Sequence, residues 1–341
     1  MNKAGKILSV DPQFAISGGE VLINCEDFQN TGVTDYGCFF DGNESRLVSS
    51  SSERIWAIVP EEVDDTDVEI YLESDGETSN TANIVVGKLL TSNMHMVANP
   101  AVDPSDGSLI LTRSGSRGQQ LPATLFRLET NGYLDEMPVT MMNPTGLAFA
   151  NSGQLFVTNR AEGSVSRISR DGTVIPFGFE LGVATGLAFD KNSYIYVGDR
   201  GGTIWRGKNI DDFEVFATIE PSVAAYHLAF GPDEKLYVTA PSLASYDNVW
   251  RIDERGEVDV YFRGLGRPQG LAFDRNGNLY VAGCLRGRRG IVKITPDRES
   301  SLFVAGNNII GLCFTKKGEL IVVTSNEVYN LPVGIYGTIL D

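Results

Sequence analysis

Cysteine and histidine are scarce in this sequence, at four and two residues in 341. Four thiols do not make a disulfide framework, and neither a Cys-x-x-Cys pair nor a Cys/His cluster occurs, so no structural zinc site is expected. Cys25 and Cys38 either meet across one small unit or remain two buried free thiols. Cys313 is expected to be buried and inert, whereas Cys284, just past a strand, is the one thiol placed to react. Long hydrophobic runs are missing too: no 18 consecutive apolar residues exist, which excludes a spanning helix. The opening Met1-Asn2-Lys3-Ala4-Gly5-Lys6 enters a strand with no apolar leader or cleavage site. The chain as given is therefore expected to be cytoplasmic, or exported if it has been trimmed. Positive charge is short as well, with 28 Lys and Arg against 44 Asp and Glu and a formal net charge of −16. The deficit is concentrated in residues 1–88, which hold 17 acidic and 5 basic side chains. Nucleic acid and anionic membrane both require clustered positive charge, so neither is expected as a partner.

What the chain does contain is a repeated phrase. TGLAFANSGQLFVT begins at Thr145, TGLAFDKNSYIYVG at Thr185, YHLAFGPDEKLYVT at Tyr226, QGLAFDRNGNLYVA at Gln269 and IGLCFTKKGELIVV at Ile310. A degraded first copy with one extra residue, ANPAVDPSDGSLILT, begins at Ala98, so the starts lie 47, 40, 41, 43 and 41 residues apart. Each phrase is an apolar strand, a turn of Asp, Asn, Lys and Gly, and a strand of aromatic and β-branched residues. A third strand follows in each copy, with a basic middle residue in five of six (Arg127, Arg167, Arg206, Arg251, Lys293; Asn330 in the last) that is expected to point away from the sheet packing. A period near 42 residues built of short strands predicts a β-propeller with one four-stranded blade per copy. One blade cannot bury both its faces, so the six copies in residues 89–341 must close as a single ring. Residues 89–92 or 335–340 are expected to supply the last outer strand.

Residues 1–88 carry a different pattern. Short strands (Val21-Leu22-Ile23, Phe39-Phe40, Ile55-Trp56-Ala57-Ile58, Val68 to Leu72, Ala82 to Val86) alternate with Gly, Pro and Ser turns and predict a small β-sandwich. The fold class is therefore all-β: an immunoglobulin-like sandwich, then a six-bladed propeller. The acidic run from Glu61 to Asp67 lacks the spacing and turning glycine of a calcium loop and reads as a solvated surface loop.

The Gly-Leu-Ala-Phe-Asp…Gly-Asn-Leu-Tyr-Val phrase resembles the NHL-repeat propellers and the gluconolactonase (regucalcin-like) group, over nearly all of residues 89–341. The front segment resembles an IPT/TIG module on the strength of Gly18-Gly19, Asp27-Phe28, Phe40-Asp41-Gly42 and the Ile-Val-Pro ending at Pro60. Such propellers host lactonases, lyases and binding proteins, so the resemblance specifies fold better than activity. In the lactonase group a divalent metal is held by a Glu near the first blade and by an Asn and an Asp just before the first-strand Gly. Here those positions hold Thr145, Thr185, Tyr226, Gln269 and Ile310, and residues 94–102 contain no Glu, so neither a metal nor another cofactor is expected. The lyase group needs a His with a supporting carboxylate, and His227 alone is available.

Ligands are expected at the mouth where the first strands begin. Tyr226 and Gln269 stand there, and four blades place an arginine just beyond the second strand: Arg113, Arg160, Arg200 and Arg286, with Arg117, Arg288 and Arg289 nearby. Planar guanidinium groups suit carboxylate and phosphate, which predicts a mouth that binds a small anionic molecule or an acidic partner. The alternative is that these arginines pair with neighbours such as Asp199 and stitch blades together. His227 replaces a glycine of the repeat, so it projects into the channel or distorts its strand. It is a candidate base or a packing residue. His95 reads as structural. The expected function is binding through the propeller face, with a lactonase-like hydrolase or lyase as the alternative.

Overall fold

The computed structural model describes residues 3–30, 35–63, 66–115, 119, 121–244 and 246–338, and among them every regular element is a β-strand. The repeats form six four-stranded antiparallel blades. Their innermost strands are Ala101–Val102, Pro144–Phe149, Ala184–Phe189, His227–Phe230, Leu271–Phe273 and Ile309–Phe314, for blades 1 to 6 in turn. Each touches the innermost strand of the next blade, and that of blade 6 touches that of blade 1, so the ring closes. Closure is completed by Lys88–Thr91, which pairs with Val328–Leu331 as the outer strand of blade 6. Residues 335–337, the other expected source, instead cross the face where the first strands end, through an Asp274–Gly337 bridge and the Tyr336 carbonyl that accepts from Arg275 N. Residues 339 and 340 lie outside the described residues.

The repeat phrase acquires its meaning between blades. Glycine opens the innermost strands because backbones meet there: a Cβ on Gly146 would lie 2.3 Å from the Thr185 carbonyl oxygen, and one on Gly186 2.3 Å from that of Tyr226. In blades 2 to 5 the aromatic residue of the second strand packs edge-on against the phenylalanine ending the next blade's first strand. Phe156 meets Phe189 at 5.1 Å, Tyr196 meets Phe230 at 5.1 Å, Tyr237 meets Phe273 at 4.7 Å and Tyr280 meets Phe314 at 5.1 Å. Edge-to-face contact adds to the area these rings bury and recurs at four successive interfaces. The turn aspartates hold their own loops: Asp274 accepts from the amides of Asn276 and Asn278 and from the Tyr280 hydroxyl.

The basic third-strand residues do not point away from the packing. Arg206 lies 4.8 Å over the Phe216 ring, Arg251 5.8 Å over Tyr261, and Lys293 6.0 Å over Tyr280. Arg127 pairs with Asp103 and Asp106, each at 2.6 Å, and Arg251 with Asp259 at 2.6 Å. Their long stems cover aromatic surface at the blade edges while the charged heads reach carboxylates, which a one-dimensional reading of alternation misses.

Ahead of the ring, Lys6–Asp11, Glu20–Glu26, Arg54–Ile58 and Leu47–Ser50 form one sheet. Phe14–Ala15, Ala82–Val86, Asp67–Ser74, Tyr36–Phe40 and Asn43–Glu44 belong to a second. Alternate residues point inward, as in Val21, Ile23 and Cys25 against Cys38, Ile70 and Leu72, which gives these strands one core between the two sheets. Phe14–Ala15 also runs parallel to Ser300–Ala305 of blade 5, so the second sheet continues into the ring. Cys25 and Cys38 are free buried thiols. Burial pushes Cys25 up to about 11 and Cys38 higher still, each aided by nearby negative charge.

Candidate functional site

The face where the first strands begin carries the arginines. In blade 2 the second strand ends at Asn159, whose side-chain oxygen accepts from the amides of Ala161 and Glu162. Asp199 does the same in blade 3, accepting from Gly201 N at 3.0 Å and also from Val183 N at 2.7 Å. An Asx residue at the strand end thus folds the loop back on itself and leaves the next residue, Arg160 or Arg200, projecting. Both are half-buried. Burial, with the Arg200 charge beside it, lowers the Arg160 guanidinium from its ordinary value. Arg200 Nη2 donates to the Val223 carbonyl at 2.8 Å, and its Nε is buried without a protein partner. Among the described residues neither arginine pairs with a carboxylate. Asp199 turns its Oδ1 to loop amides and forms no ion pair with Arg200 among the described residues.

The other expected residues divide. Arg113 is half-buried beside blade 1, and Arg286 is exposed in a two-residue turn with Gly287, both at positive φ. Among the described residues no ion pair ties either to Arg160 or Arg200. Arg117 lies outside the described residues. Arg288 serves elsewhere: it pairs with Asp11 and stacks 5.1 Å from the Trp56 ring, anchoring the front segment to blade 5. Tyr226 is not displayed at the mouth. It is fully buried, its hydroxyl donates to the Glu220 carbonyl, and its amide donates to Thr185 Oγ1 at 3.0 Å. Alternation explains this, since the residue before the channel-facing position must turn into the blade. Thr145, Thr185 and Ile310 are buried for the same reason, and Gln269 is half-buried with its amide on the Ala282 carbonyl at 2.8 Å. His95 is exposed at a φ of 49°.

His227 continues the regular pairing of its strand, opposite Thr239, and lines the central channel. Burial lowers its imidazole to about 4, so the ring is neutral at physiological pH. No carboxylate supports it among the described residues, and its Nε2 has no protein partner. A cavity of about 1100 Å³ runs along this channel and opens past the turns that follow the first strands, on the face opposite the arginines. Asn99, which pattern reading passed over, and Cys313 complete the channel. Asn99 takes the glycine position in blade 1 and reaches blades 5 and 6, donating to the Leu271 carbonyl at 3.2 Å and accepting from Leu312 N at 3.1 Å. Cys313 takes an alanine position; expected to be buried, the residue is half-exposed, while burial of its thiol pushes it up to about 12.

Neither a family model nor a curated protein matches the chain. Solved structures do. An auxiliary nutrient binding protein from Bacteroides thetaiotaomicron aligns with a TM-score of 0.56 at 13% identity, over 96% of this chain and 98% of that one. A gluconolactonase from Xanthomonas campestris aligns with a TM-score of 0.57 at 14% identity, covering 72% and 88%. Virginiamycin B lyase from Staphylococcus aureus aligns with a TM-score of 0.54 at 15% identity, covering 88% and 99%. At these identities the likeness defines the fold alone, a β-propeller. Among the described residues no helix is long and apolar enough to cross a membrane.

Proposed function

We propose that this chain is a binding protein whose arginine-bearing propeller face holds a small anionic molecule or an acidic partner. In this reading residues 1–88 are an IPT/TIG-like immunoglobulin domain that acts as spacer or second contact surface, and residues 89–341 are a six-bladed NHL/gluconolactonase-like domain. The acidic front domain keeps nucleic acid and anionic membrane out of the partner set. One observation carries the reading: two half-buried guanidinium groups from adjacent blades stand close enough for one to depress the other, without a carboxylate between them. Like charges held together cost stability unless a ligand offsets them, and a carboxylate or phosphate matches their fork geometry. The full-length likeness to nutrient binding proteins agrees with a binding role. A lactonase or lyase reading finds less support, because Thr145, Thr185 and Tyr226 are engaged with backbone groups and His227 lacks a carboxylate.

Isothermal titration with sugar acids and sugar phosphates tests this. Arg160→Ala and Arg200→Ala should each weaken anion binding by about 1.5–3 kcal/mol, the worth of a charged hydrogen bond, with little change in melting temperature. Variants that lose stability while binding anions as before would overturn the proposal, as would a wild-type chain that binds none of the panel.

A further inference from the structure

The channel cavity belongs to neither arginine and opens on the other side of the ring, so it stands on separate observations. Its lining includes a ring of small side chains, Ala101, Ala148, Ala188, Ala229, Ala272 and Cys313, one from each blade. Small residues leave room along the axis. Each innermost strand is laddered on one side only, so its other edge presents backbone N–H and C=O groups toward the channel. Asn99 satisfies two of these, at Leu271 and Leu312, and shows how a polar group docks against that wall. At the level of Asn99 and the repeat glycines stands His227, 2% exposed, its Nε2 without a protein partner. A buried polar atom in such a place costs stability unless a partner reaches it.

No charged residue that lines the cavity belongs to an innermost strand: those at 190–191, 233–235 and 253–255 stand in turns, and Arg206 in a third strand. Asp190 is held by the amides of Asn192 and Tyr194, Asp233 by the Tyr237 hydroxyl and Asp253 by the amides of Arg255 and Glu257. At the rim Lys191 pairs with Glu234 at 2.5 Å, and Arg206 with Glu214. The innermost strands and Asn99 contribute neutral donors and acceptors, with the apolar methyls of five alanines between them. Alternating hydroxyls on a compact C–H frame are the complement of such a wall.

We propose that this cavity is a second binding site, for a small neutral polyhydroxyl molecule of the monosaccharide or cyclitol class that hydrogen-bonds His227 at the channel floor. The His227 imidazole, uncharged at neutral pH, then acts as donor or acceptor to a hydroxyl, and the backbone edges take the remaining ones.

The test uses the intact ¹⁵N-labelled chain and three probes: methyl α-glucoside, myo-inositol and glucuronate. With only two histidines in the sequence, the imidazole resonances separate cleanly, and exposed His95 serves as the internal control. Methyl glucoside or myo-inositol should shift the His227 resonances saturably and leave those of His95 in place. His227→Gly, which restores the residue found in blades 2, 3, 5 and 6, should weaken that binding roughly tenfold or more, the worth of one hydrogen bond. Arg160→Ala should leave it unchanged, which separates this site from the arginine face. Glucuronate should act at least about tenfold more weakly on His227, since a carboxylate there meets no cation. The proposal fails if no probe moves His227, if the glycine variant binds as the wild type does, or if glucuronate matches the neutral probes. Should the variant not fold, the shifts of His227 in the wild-type chain decide the question alone.

Discussion

At the scale of single residues, burial governs the chemistry of the few groups that could react. His227 is lowered to about 4 by burial, against an ordinary value near 6.5 in the unfolded chain. The unfolded state therefore takes up a proton between pH 6.5 and 4 that the folded state refuses, and stability falls as the pH drops through that window. The stability difference between the wild type and His227→Gly should move against the wild type by up to about 3 kcal/mol from pH 7 to pH 4, measured by urea unfolding at each pH. A constant difference would show that the ring is solvated in the folded state. The thiol of Cys313, pushed up to about 12, leaves a thiolate fraction on the order of 10⁻⁴ at pH 8. Iodoacetamide at pH 8 should accordingly modify half-exposed Cys284 well before buried Cys25 and Cys38, and before Cys313, which is half-exposed but stays a protonated thiol, as read by peptide mass spectrometry.

At the scale of elements, the repeated unit is a strand pair whose aromatic residue belongs energetically to the next blade. Tyr280 is fully buried, packs against Phe303 and Phe314 with ring centroids 5.1 Å away in each case, and donates to Asp274 at 3.2 Å. Tyr280→Ala should cost about 3–5 kcal/mol, because the two flanking phenylalanines hold the cavity open. Tyr280→Phe should cost about 1 kcal/mol, since it removes one hydrogen bond while Asp274 keeps its amide partners. Chemical denaturation of the pair separates ring packing from hydroxyl, and equal losses would assign the interface to the hydrogen bond instead.

At the scale of the whole molecule, the front segment and the ring share structure. Ile16 is 1% exposed and packs within the blade 5–6 core, with a Cβ on Gly306 falling 2.6 Å from its side chain. The pairing of Phe14–Ala15 with blade 5 and the anchoring of Arg288 on Asp11 and Trp56 reinforce that junction. Unfolding followed by Trp56 alone, in a Trp205→Phe, Trp250→Phe background, should coincide with unfolding of the blades followed by circular dichroism. Ile16→Ala should separate the two transitions and destabilise the junction by about 2–4 kcal/mol. Coincident transitions in the variant would mean that the other contacts carry the coupling.

The six-fold repeat was legible from residue types alone. A phrase such as TGLAF…LFVT encodes two strands and a turn locally, and six copies admit few ways to bury their faces. Ring closure by residues 88–91 was half legible, since apolar patterning marked two candidate segments and only hydrogen-bonded register could choose between them. Binding chemistry was less so. The sequence showed arginines after the second strands, but not that Asn159 and Asp199 would spend side-chain oxygens on loop amides or that the Arg200 charge would act on a half-buried Arg160. It placed Tyr226 at the mouth, whereas the alternation of a strand packed between blades buries it. It marked His227 as the odd residue in a glycine column, while the channel around it, with Asn99 on one side and a ring of alanines beneath, exists only once blades far apart in sequence share an axis. Local pattern determines the blade, because strand and turn propensities act over a few residues. The sites are decided by the ring, because each draws its groups from several blades and depends on which side of a strand faces the centre.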